Sequence, residues 1–314
     1  MSRHHRKKKI SGQEVVELIK KNLGYKSLVK PPLHWLDLLS SWANKVFGSK
    51  KLGVPYGKVV LIAGPPSSGK SAIAAWILGL AQKDDADGAW LDGENSYDPI
   101  HIARQGVDPE LVALFEPEYG EFKHKKQKKN KLVPYDVEAA EDVFNRAEMW
   151  MKLMHKQDPK GKRVLVVDST TSFSPEEELM AGLTEQNMRT RTSPAVFLNA
   201  VSKRWMALAA RTNTLIILIA QLRTNPGKMF GNPEYVTGGN GIQYYSSVVV
   251  WMRRIADGAI IRKGKQVGVK GIISNRKNKA GGGSIERKKT GYMAYFYEPK
   301  WNFVDPETIK KKEK

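Results

Sequence analysis

A chain of 314 residues, 41% of them hydrophobic, can bury one large core or one core with a small appendage. Cysteine is absent, which excludes a disulfide framework and a thiolate metal site and is compatible with a reducing cytoplasm. The longest apolar run, residues 215–220, is far too short to span a bilayer, so we expect no membrane association. The net charge of +20 predicts a polyanionic partner, nucleic acid above all.

The first 32 residues precede the predicted core. Residues 1–10 form a basic tail, which we expect to be disordered and to act as an electrostatic arm on DNA. Within residues 11–32, Ser11 and Glu14 have capping-box spacing ahead of a short amphipathic helix. Residues 25–29 then have a strand pattern without an obvious local partner. The sequence therefore predicts that this strand adds to a sheet edge, on a neighbouring subunit.

The phosphate-binding P-loop pattern, G-x-x-x-x-G-K-[ST], is matched by Gly64-Pro65-Pro66-Ser67-Ser68-Gly69-Lys70-Ser71. Residues 58–63 have the pattern of a buried strand, and residues 72–81 that of the helix whose N-terminus holds the anion. The two glycines let successive N–H groups point at the phosphates. Lys70 then reaches the β- and γ-phosphates, and the Ser71 hydroxyl ligates Mg²⁺. The stretch predicts a nucleotide site.

Between residues 33 and 304 apolar strands alternate with helical segments, which predicts an α/β core with a largely parallel sheet. Further strands are expected at 88–92, 111–115, 163–168 and 214–221, and further helices at 137–155 and 195–211. The lysine-rich stretch 123–131 is expected to be a solvated loop that either touches a phosphate backbone or only aids solubility. The polar stretch 173–192 is expected to be a long functional or mobile loop.

One strand of this pattern, residues 163–168, ends in a carboxylate. Asp168 lies about 100 residues downstream of the P-loop, and in P-loop proteins such an aspartate serves the Mg²⁺ shell through the P-loop hydroxyl or through water. The sequence therefore predicts that Ser71 and Asp168 form the metal site.

The stretch from Gln221 to Asn240 resembles the second DNA-binding loop of RecA-family recombinases. The most specific match is Met229-Phe230-Gly231-Asn232-Pro233 followed by Thr237-Gly238-Gly239-Asn240. The resemblance extends over residues 24–300 and includes the P-loop, Gly93-Glu94, Asp98-Pro99, Val167-Asp168-Ser169 and Lys277-Asn278-Lys279. The chemistry of the loop agrees, because Phe230 offers a face for stacking on bases, while Arg223 and Lys228 offer charge for phosphates.

The resemblance implies a RecA-like P-loop NTPase core, preceded by a short N-terminal helix and an oligomerisation strand. It also implies that Glu94 activates the attacking water and that Gln221 senses the γ-phosphate and passes its presence to the DNA loop. Lys277 and Lys279 would reach the neighbouring subunit's nucleotide. The implied DNA contacts of the second loop are Arg223, Lys228, Met229, Phe230, Gly231, Asn232, Gly238, Gly239 and Asn240. From the first DNA loop, which falls at 174–192, only Arg189 and Arg191 are transferred.

The chain also departs from the family pattern. Where the family has an adenine-stacking aromatic, this sequence has Asp98-Pro-Ile-His101, so Asp98 and His101 are expected at the base, with His101 stacking. The lysine-rich stretch 123–131 is not part of the usual pattern. The chain ends in a basic tail, residues 305–314, and resembles a reduced recombinase core of bacteriophage type. A phage origin implies the host cytoplasm or nucleoid as its location.

The function implied is that of an ATP-dependent homologous recombinase. It would form a helical filament on single-stranded DNA, with ATP and Mg²⁺ between subunits, and pair that strand with a homologous duplex. Two alternatives remain open: a RecA-fold mediator or annealing factor that binds DNA without exchanging strands, and a hexameric helicase motor, which the second-loop sequence disfavours. A single-strand-binding protein or a loading mediator is a further expected partner.

Overall fold

A computed structural model describes residues 34–122, 135–181, 187–225, 227, 233–280, 290–296 and 302–304. Four predicted segments lie wholly or mostly outside the described residues: the tail 1–10, the N-terminal helix and strand in 11–32, the lysine-rich stretch 123–131 and the tail 305–314. Among the described helices, none is long and apolar enough to cross a membrane.

The secondary structure of the described residues follows in chain order. The strands are β1 Trp35–Leu36, β2 Val54–Pro55, β3 Val59–Gly64, β4 Ala86–Asp92, β5 Val112–Phe115, β6 Tyr119–Phe122, β7 Tyr135–Val137, β8 Lys162–Asp168, β9 Thr214–Thr224, β10 Glu234–Val236, β11 Val248–Arg262, β12 Lys265–Asn278, β13 Thr290–Phe296 and β14 Asn302–Val304. The helices are α1 Ser41–Phe47, α2 Lys70–Lys83, α3 Pro99–Ala103, α4 Ala140–Gln157, α5 Glu176–Ala181, α6 Met188–Thr212 and α7 Asn240–Tyr245, with a 3₁₀ turn at Pro109–Leu111.

One large sheet carries the fold, in the order β14-β13-β12-β11-β3-β9-β8-β4-β5, with β10 added to the end of β9. The strands from β11 to β5 in this order are parallel, and β10, β12, β13 and β14 are antiparallel to their neighbours. The predicted α/β fold with a largely parallel central sheet is confirmed.

The expected alternation of strands and helices does not continue to residue 304. After α7 the described chain forms consecutive antiparallel strands, so the prediction was wrong for this last part. The signal that was overlooked is the turn Lys263-Gly264 between β11 and β12, where both residues have positive φ (50° and 73°). A two-residue turn of this kind joins antiparallel strands because its twist matches theirs.

Helices cover both faces of the parallel strands, because successive residues of a strand point to opposite sides. In β3, Val60 and Ile62 belong to the core cluster that contains the buried face of α2. Leu61 and Ala63 belong to the opposite cluster, with Phe144 of α4 among its members. Burial on both faces explains why these strands appear in the sequence as uninterrupted apolar runs.

Three local predictions need correction. The helix expected at 137–155 begins at Ala140, because Val137 pairs with Tyr119 in the β6–β7 hairpin. The helix expected at 195–211 begins at Met188, ahead of Pro194. The stretch 173–192 is consequently not one irregular loop, since it contains α5 and the start of α6.

A reciprocal cap explains the early start of α6. The main-chain N–H of Asn187 donates to Thr190 Oγ1 (2.9 Å), and the N–H of Thr190 donates to Asn187 Oδ1 (3.1 Å). Such paired bonds satisfy N–H groups that otherwise lack partners at a helix N-terminus. Pro194 therefore lies in the second turn of this helix, although a proline normally marks a boundary.

A fully buried arginine ties the opposite end of the sheet to two helices. Arg163, at the start of β8, has no exposed surface. Its guanidinium donates to the carbonyl oxygens of Thr212 (2.8 Å) at the end of α6 and of Met154 (2.6 Å) near the end of α4, and also to Gly161 and Asp158. One side chain thus donates to carbonyls in the last turns of two helices, where the Met154 carbonyl also accepts from the N–H of Asp158 (2.9 Å).

Replacing Arg163 with Met should lower the free energy of unfolding by about 3 kcal/mol, because several buried carbonyl groups lose their donor. The loss should be visible as a lower midpoint in urea unfolding. Arg211→Met is the matched control, since Arg211 is exposed in the last turn of α6 and its loss should cost less than about 1 kcal/mol. Equal losses of unfolding free energy in the two variants would contradict the stabilising role of the Arg163 hydrogen bonds.

Candidate nucleotide-binding site

The parallel strands end at a common edge, where their register brings predicted site residues together. Gly64 at the end of β3 lies opposite Gln221 of β9, and Asp92 at the end of β4 lies opposite Asp168 of β8. A cavity of about 580 Å³ opens at this edge. The predicted residues that line it are Pro66, Ser67, Ser68, Gly69, Lys70, Ser71, Glu94, His101, Asp168 and Gln221. Ligands of parallel α/β sheets bind at this edge.

The P-loop has the geometry of an anion cradle. Gly69 adopts φ +88° at the start of α2, a left-handed conformation that side chains disfavour. A Cβ on Gly64 would lie 2.4 Å from Ser68 Oγ and 2.6 Å from the carbonyl oxygen of Met252, so the loop closes tightly over this glycine. Ser68 Oγ is itself buried without a hydrogen-bond partner among the described residues. An orphaned hydroxyl beside a helix N-terminus fits a phosphate ligand.

Lys70 lies buried at the first position of α2. Its ammonium donates to the carbonyl oxygen of Pro65 (2.9 Å). Burial lowers the pKa of Lys70, while the nearby carboxylates of Asp168 and Glu94 oppose that shift. A buried cation of this kind gains free energy from a further anion, which the phosphates of a nucleotide would supply.

Asp168 and Ser71 have the arrangement expected for an Mg²⁺ site. The carboxyl of Asp168 is almost fully buried, accepts a hydrogen bond from the Ser71 side chain and has its pKa raised to about 6, mainly by burial. Glu94 and Asp92 raise it further by repulsion. A divalent cation would relieve this repulsion, and Mg²⁺ needs only one or two protein ligands beside phosphate and water. The described residues contain no cluster of three or more metal-ligating side chains.

A turn shaped by Asp92 positions Glu94. The buried Asp92 carboxylate accepts hydrogen bonds from the main-chain N–H groups of Glu94 (3.0 Å), Ser96 (2.7 Å) and Tyr97 (2.6 Å). The side chain of Glu94 lines the cavity and accepts a hydrogen bond from Ser172 Oγ (3.4 Å). We predicted no role for Asp92 from the sequence, although it ends an apolar strand just as Asp168 does. This shared position at a strand end was the signal that could have identified it.

Gln221 connects the cavity to the predicted second DNA loop. The carbonyl oxygen of Gln221 accepts hydrogen bonds from Thr237 N (3.0 Å) and Thr237 Oγ1 (3.1 Å), which joins the two ends of the loop. Arg223 is not in an irregular loop as predicted, because β9 continues to Thr224 and Arg223 pairs with Tyr235 of β10. Its side chain is exposed.

Several predicted DNA contacts have other placements. Gly238 and Gly239 form the turn before α7, and Asn240 is the first residue of that helix. The backbones of Arg189 and Arg191 lie in α6, and their side chains lie outside the described residues. The second-loop residues Lys228, Met229, Phe230, Gly231 and Asn232 also lie outside them.

Of the residues expected at the adenine base and at the subunit interface, only one lines the cavity. His101 lines the cavity, and burial lowers the pKa of its imidazole. Asp98 instead caps α3, with its side chain accepting from Ile100 N (2.8 Å). Lys277 is turned toward its own chain, where its ammonium donates to the carbonyl oxygens of Gln243 (2.9 Å) and Tyr244 (2.6 Å) in α7. Lys279 follows the end of β12, outside the cavity.

Three cations at the cavity were not predicted. Arg253 and Arg254 of β11 and Lys270 of β12 line its far wall. Arg253 also forms an ion pair with Glu234, the first residue of β10 and so close to the end of the second loop. In a chain this basic, adjacent arginines at a strand give no local signal, and only the pairing of β11 with β3 brings them to the P-loop.

Comparisons with known proteins agree with this geometry. The family described as RecA N-terminal domain matches residues 14–130 and 152–288. The chain is 31% identical over 227 residues to Protein RecA of Rhodospirillum rubrum, which covers 72% of this chain and 54% of that protein. Protein RecA of Gluconobacter oxydans and of Methylococcus capsulatus are also 31% identical, with 72% of this chain covered and 57% and 56% of theirs. The chain spans about half the length of these curated relatives.

The raised pKa of Asp168 predicts a pH-dependent stability. As the pH rises from 3.8, the carboxyl's ordinary pKa, to about 6, the unfolded chain loses this proton while the folded protein keeps it, so folded stability falls. Above about pH 6 the cost stays constant. Asp168→Asn removes the cost, so its free energy of unfolding relative to the parent should rise by about 2 kcal/mol between pH 4 and pH 8.

Urea unfolding of metal-free protein at several pH values measures this difference. The same variant should lose Mg²⁺-dependent nucleotide hydrolysis. Higher stability together with lost hydrolysis would show that burial of the Asp168 carboxyl destabilises the fold although the site needs this group. A constant difference in stability across this pH range would mean that Asp168 titrates normally.

Proposed function

The chain belongs to the RecA family, and from that premise we propose that it is an ATP-dependent recombinase. It forms helical filaments on single-stranded DNA and pairs that strand with a homologous duplex. The observation that supports this most is the position of Gln221, which lines the phosphate cavity and whose carbonyl oxygen binds Thr237 at the far end of the second loop. One residue thus contacts both the nucleotide site and the segment assigned to DNA.

The proposed chemistry is hydrolysis of ATP. Lys70 and the P-loop N–H groups bind the phosphates, while Ser71 and Asp168 hold Mg²⁺, which neutralises charge on the transferred phosphoryl group. Glu94, which lines the same cavity, orients the attacking water and accepts its proton. His101 stacks on the base, and Asp98 lies one helical turn away.

The proposed coupling to DNA runs through both ends of the second loop. Gln221 responds to the γ-phosphate, and its hydrogen-bonded partner Thr237 leads into Gly238, Gly239 and Asn240. Arg223 and Lys228 bind phosphates of the single strand, and Phe230 contacts its bases. Met229, Gly231 and Asn232 complete the loop, while Arg189 and Arg191 serve the first loop.

We place the nucleotide between subunits of the filament. Lys277 and Lys279 then face the neighbour's phosphates, and Lys277 exchanges the α7 carbonyls for them as the subunits assemble. Residues 11–32 supply the oligomerisation strand. A single-strand-binding protein or a loading mediator completes the set of partners, and the host cytoplasm or nucleoid is the location. The bacteriophage origin stays a prediction.

Electron microscopy of the protein with single-stranded DNA and a non-hydrolysable ATP analogue tests the assembly. Helical filaments support the recombinase. Isolated particles on DNA would favour a mediator or annealing factor, and closed rings would favour a helicase motor.

Glu94→Gln should bind ATP as the parent does but hydrolyse it at least about a hundredfold more slowly, the scale of losing a positioned base. DNA-stimulated turnover and fluorescent-nucleotide binding measure the two effects. Lys70→Ala is the reference for a variant that loses nucleotide binding as well. Turnover of the Glu94 variant within a few-fold of the parent would remove this residue from its role.

Phe230→Ala should retain the fold, basal ATP hydrolysis and most salt-sensitive DNA binding, because phosphate contacts come from Arg223 and Lys228. It should form joint molecules between a single strand and a homologous duplex at least about tenfold more slowly, since a base contact is worth about 1–3 kcal/mol. Tyr119→Ala, exposed on β6 outside the second loop, is the matched control. Pairing as fast as that control would make Phe230 a bystander.

A further inference from the structure

We propose that Phe173 is a positioning residue for Glu94 and that it connects this carboxylate, through Phe144, to the helix α6 that contacts both DNA-loop segments. The inference rests on the proposed role of Glu94 in hydrolysis. It adds a physical route by which DNA at the loops changes the rate of turnover.

The first contact joins Phe173 to the Glu94 turn. A Cβ on Gly93 would lie 2.6 Å from Cε2 and 2.7 Å from Cζ of the Phe173 ring, so the ring edge is pressed against the backbone just before Glu94. Phe173 is almost fully buried. Its neighbour Ser172 donates to the Glu94 carboxylate (3.4 Å) and shares a hydrogen bond with Ser169 (2.7 Å). Any displacement of this ring therefore acts on Gly93 and Glu94.

The second contact joins Phe173 to α6 through one aromatic side chain of α4. The ring of Phe144 lies 5.1 Å, centroid to centroid, from the rings of Phe173, Phe197 and Trp205. The rings of Phe173 and Phe197 stand nearly perpendicular to it, at 86° and 84°. Edge-to-face pairs of this kind have a preferred geometry, so the four rings move together or lose contact.

The third contact joins α6 to the end of the second loop. A Cβ on Gly238 would lie 2.8 Å from Leu198 Cδ1, and one on Gly241 would lie 2.2 Å from Asn199 Oδ1. Both partners follow Phe197 in α6 within two residues. The same helix begins at Met188, within the stretch assigned to the first loop. One helix thus packs against one loop segment and begins in the other, and its aromatic side chains are connected to the Glu94 turn through Phe144 and Phe173.

The consequence follows from close packing. Because neither the glycine contacts nor the aromatic cluster leaves room for a small displacement, a shift of α6 on DNA binding is passed on to Gly93. A misplacement of about 1 Å at a catalytic group costs up to about a hundredfold in rate. We expect the connection to change kcat and to leave the ATP KM nearly unchanged, since Lys70 and the P-loop are not part of it.

The test is a double-mutant cycle on the full-length protein with Gly93→Ala and Phe173→Leu. Gly93→Ala should lower the DNA-stimulated kcat at least about tenfold, with less than about a threefold change in KM. Phe173→Leu removes the two ring atoms closest to the new methyl group. The double variant should therefore recover to within about threefold of Phe173→Leu alone.

Two controls separate positioning from loss of fold. Gly88→Ala makes the same substitution within strand β4, which ends one residue before Gly93. Its new Cβ would lie 3.0 Å from the end of the flexible Leu78 side chain and in ordinary contact with the Leu111 carbonyl oxygen (3.5 Å) and Gln82 Nε2 (3.6 Å). It should keep the parental kcat, and thermal unfolding of every variant checks the fold. Phe144→Leu tests the connection to α6: it should lower the ratio of DNA-stimulated to basal turnover at least about threefold.

Three results would overturn the inference: parental kcat in Gly93→Ala, no recovery in the double variant, or an unchanged stimulation ratio in Phe144→Leu. Glu94→Gln, measured beside them, distinguishes this failure from that of the proposed function. If Glu94→Gln is inactive while Gly93→Ala is normal, only the positioning role fails. If Glu94→Gln hydrolyses ATP normally, the proposed catalytic role fails first.

Discussion

The register of the parallel strands is the constraint on which the site depends. Gly64 lies opposite Gln221 and Asp92 opposite Asp168, so four strands contribute polar or glycine residues to one edge. Because each strand is buried on both faces, a slip by one residue would exchange the two core clusters and move every side chain to the wrong face. Packing throughout the sheet therefore fixes distances at its edge that no local interaction could hold.

The same edge collects charges that burial disfavours. The pKa of Lys70 is lowered and that of Asp168 is raised, each mainly by burial, while the nearby Glu94 repels the Asp168 carboxylate. Because the two pKa values are shifted in opposite directions, each toward the neutral form, the protein itself does not fully compensate either charge. A phosphate group and a divalent cation would supply the missing charges. The edge thus has the electrostatics of a site for a metal-bound phosphate.

The parts of the molecule that sequence could predict are those with local signals. The P-loop, its strand and its helix were predicted because their chemistry lies within consecutive residues, and Asp168 because its strand is an apolar run. Asp92 has the same signal but acts on main-chain N–H groups, which no pattern displays. Arg253 and Phe173 could not be predicted, since they reach the site through strand order and through contacts between distant helices. The antiparallel β12–β14 region was missed because the alternating pattern of the core was extended over it and the Lys263-Gly264 turn was overlooked.

The strand order has a consequence for synthesis of the chain. β3 emerges early, yet its two partners are β9 and β11, which are made last among the parallel strands. At about 5–20 residues per second, the interval between residues 64 and 252 lasts roughly 10–40 s on the ribosome. During this time β3 is an apolar segment with two unpaired edges, which is the state most prone to wrong pairing. The strand that carries the P-loop is therefore the one that most needs protection before the chain is complete.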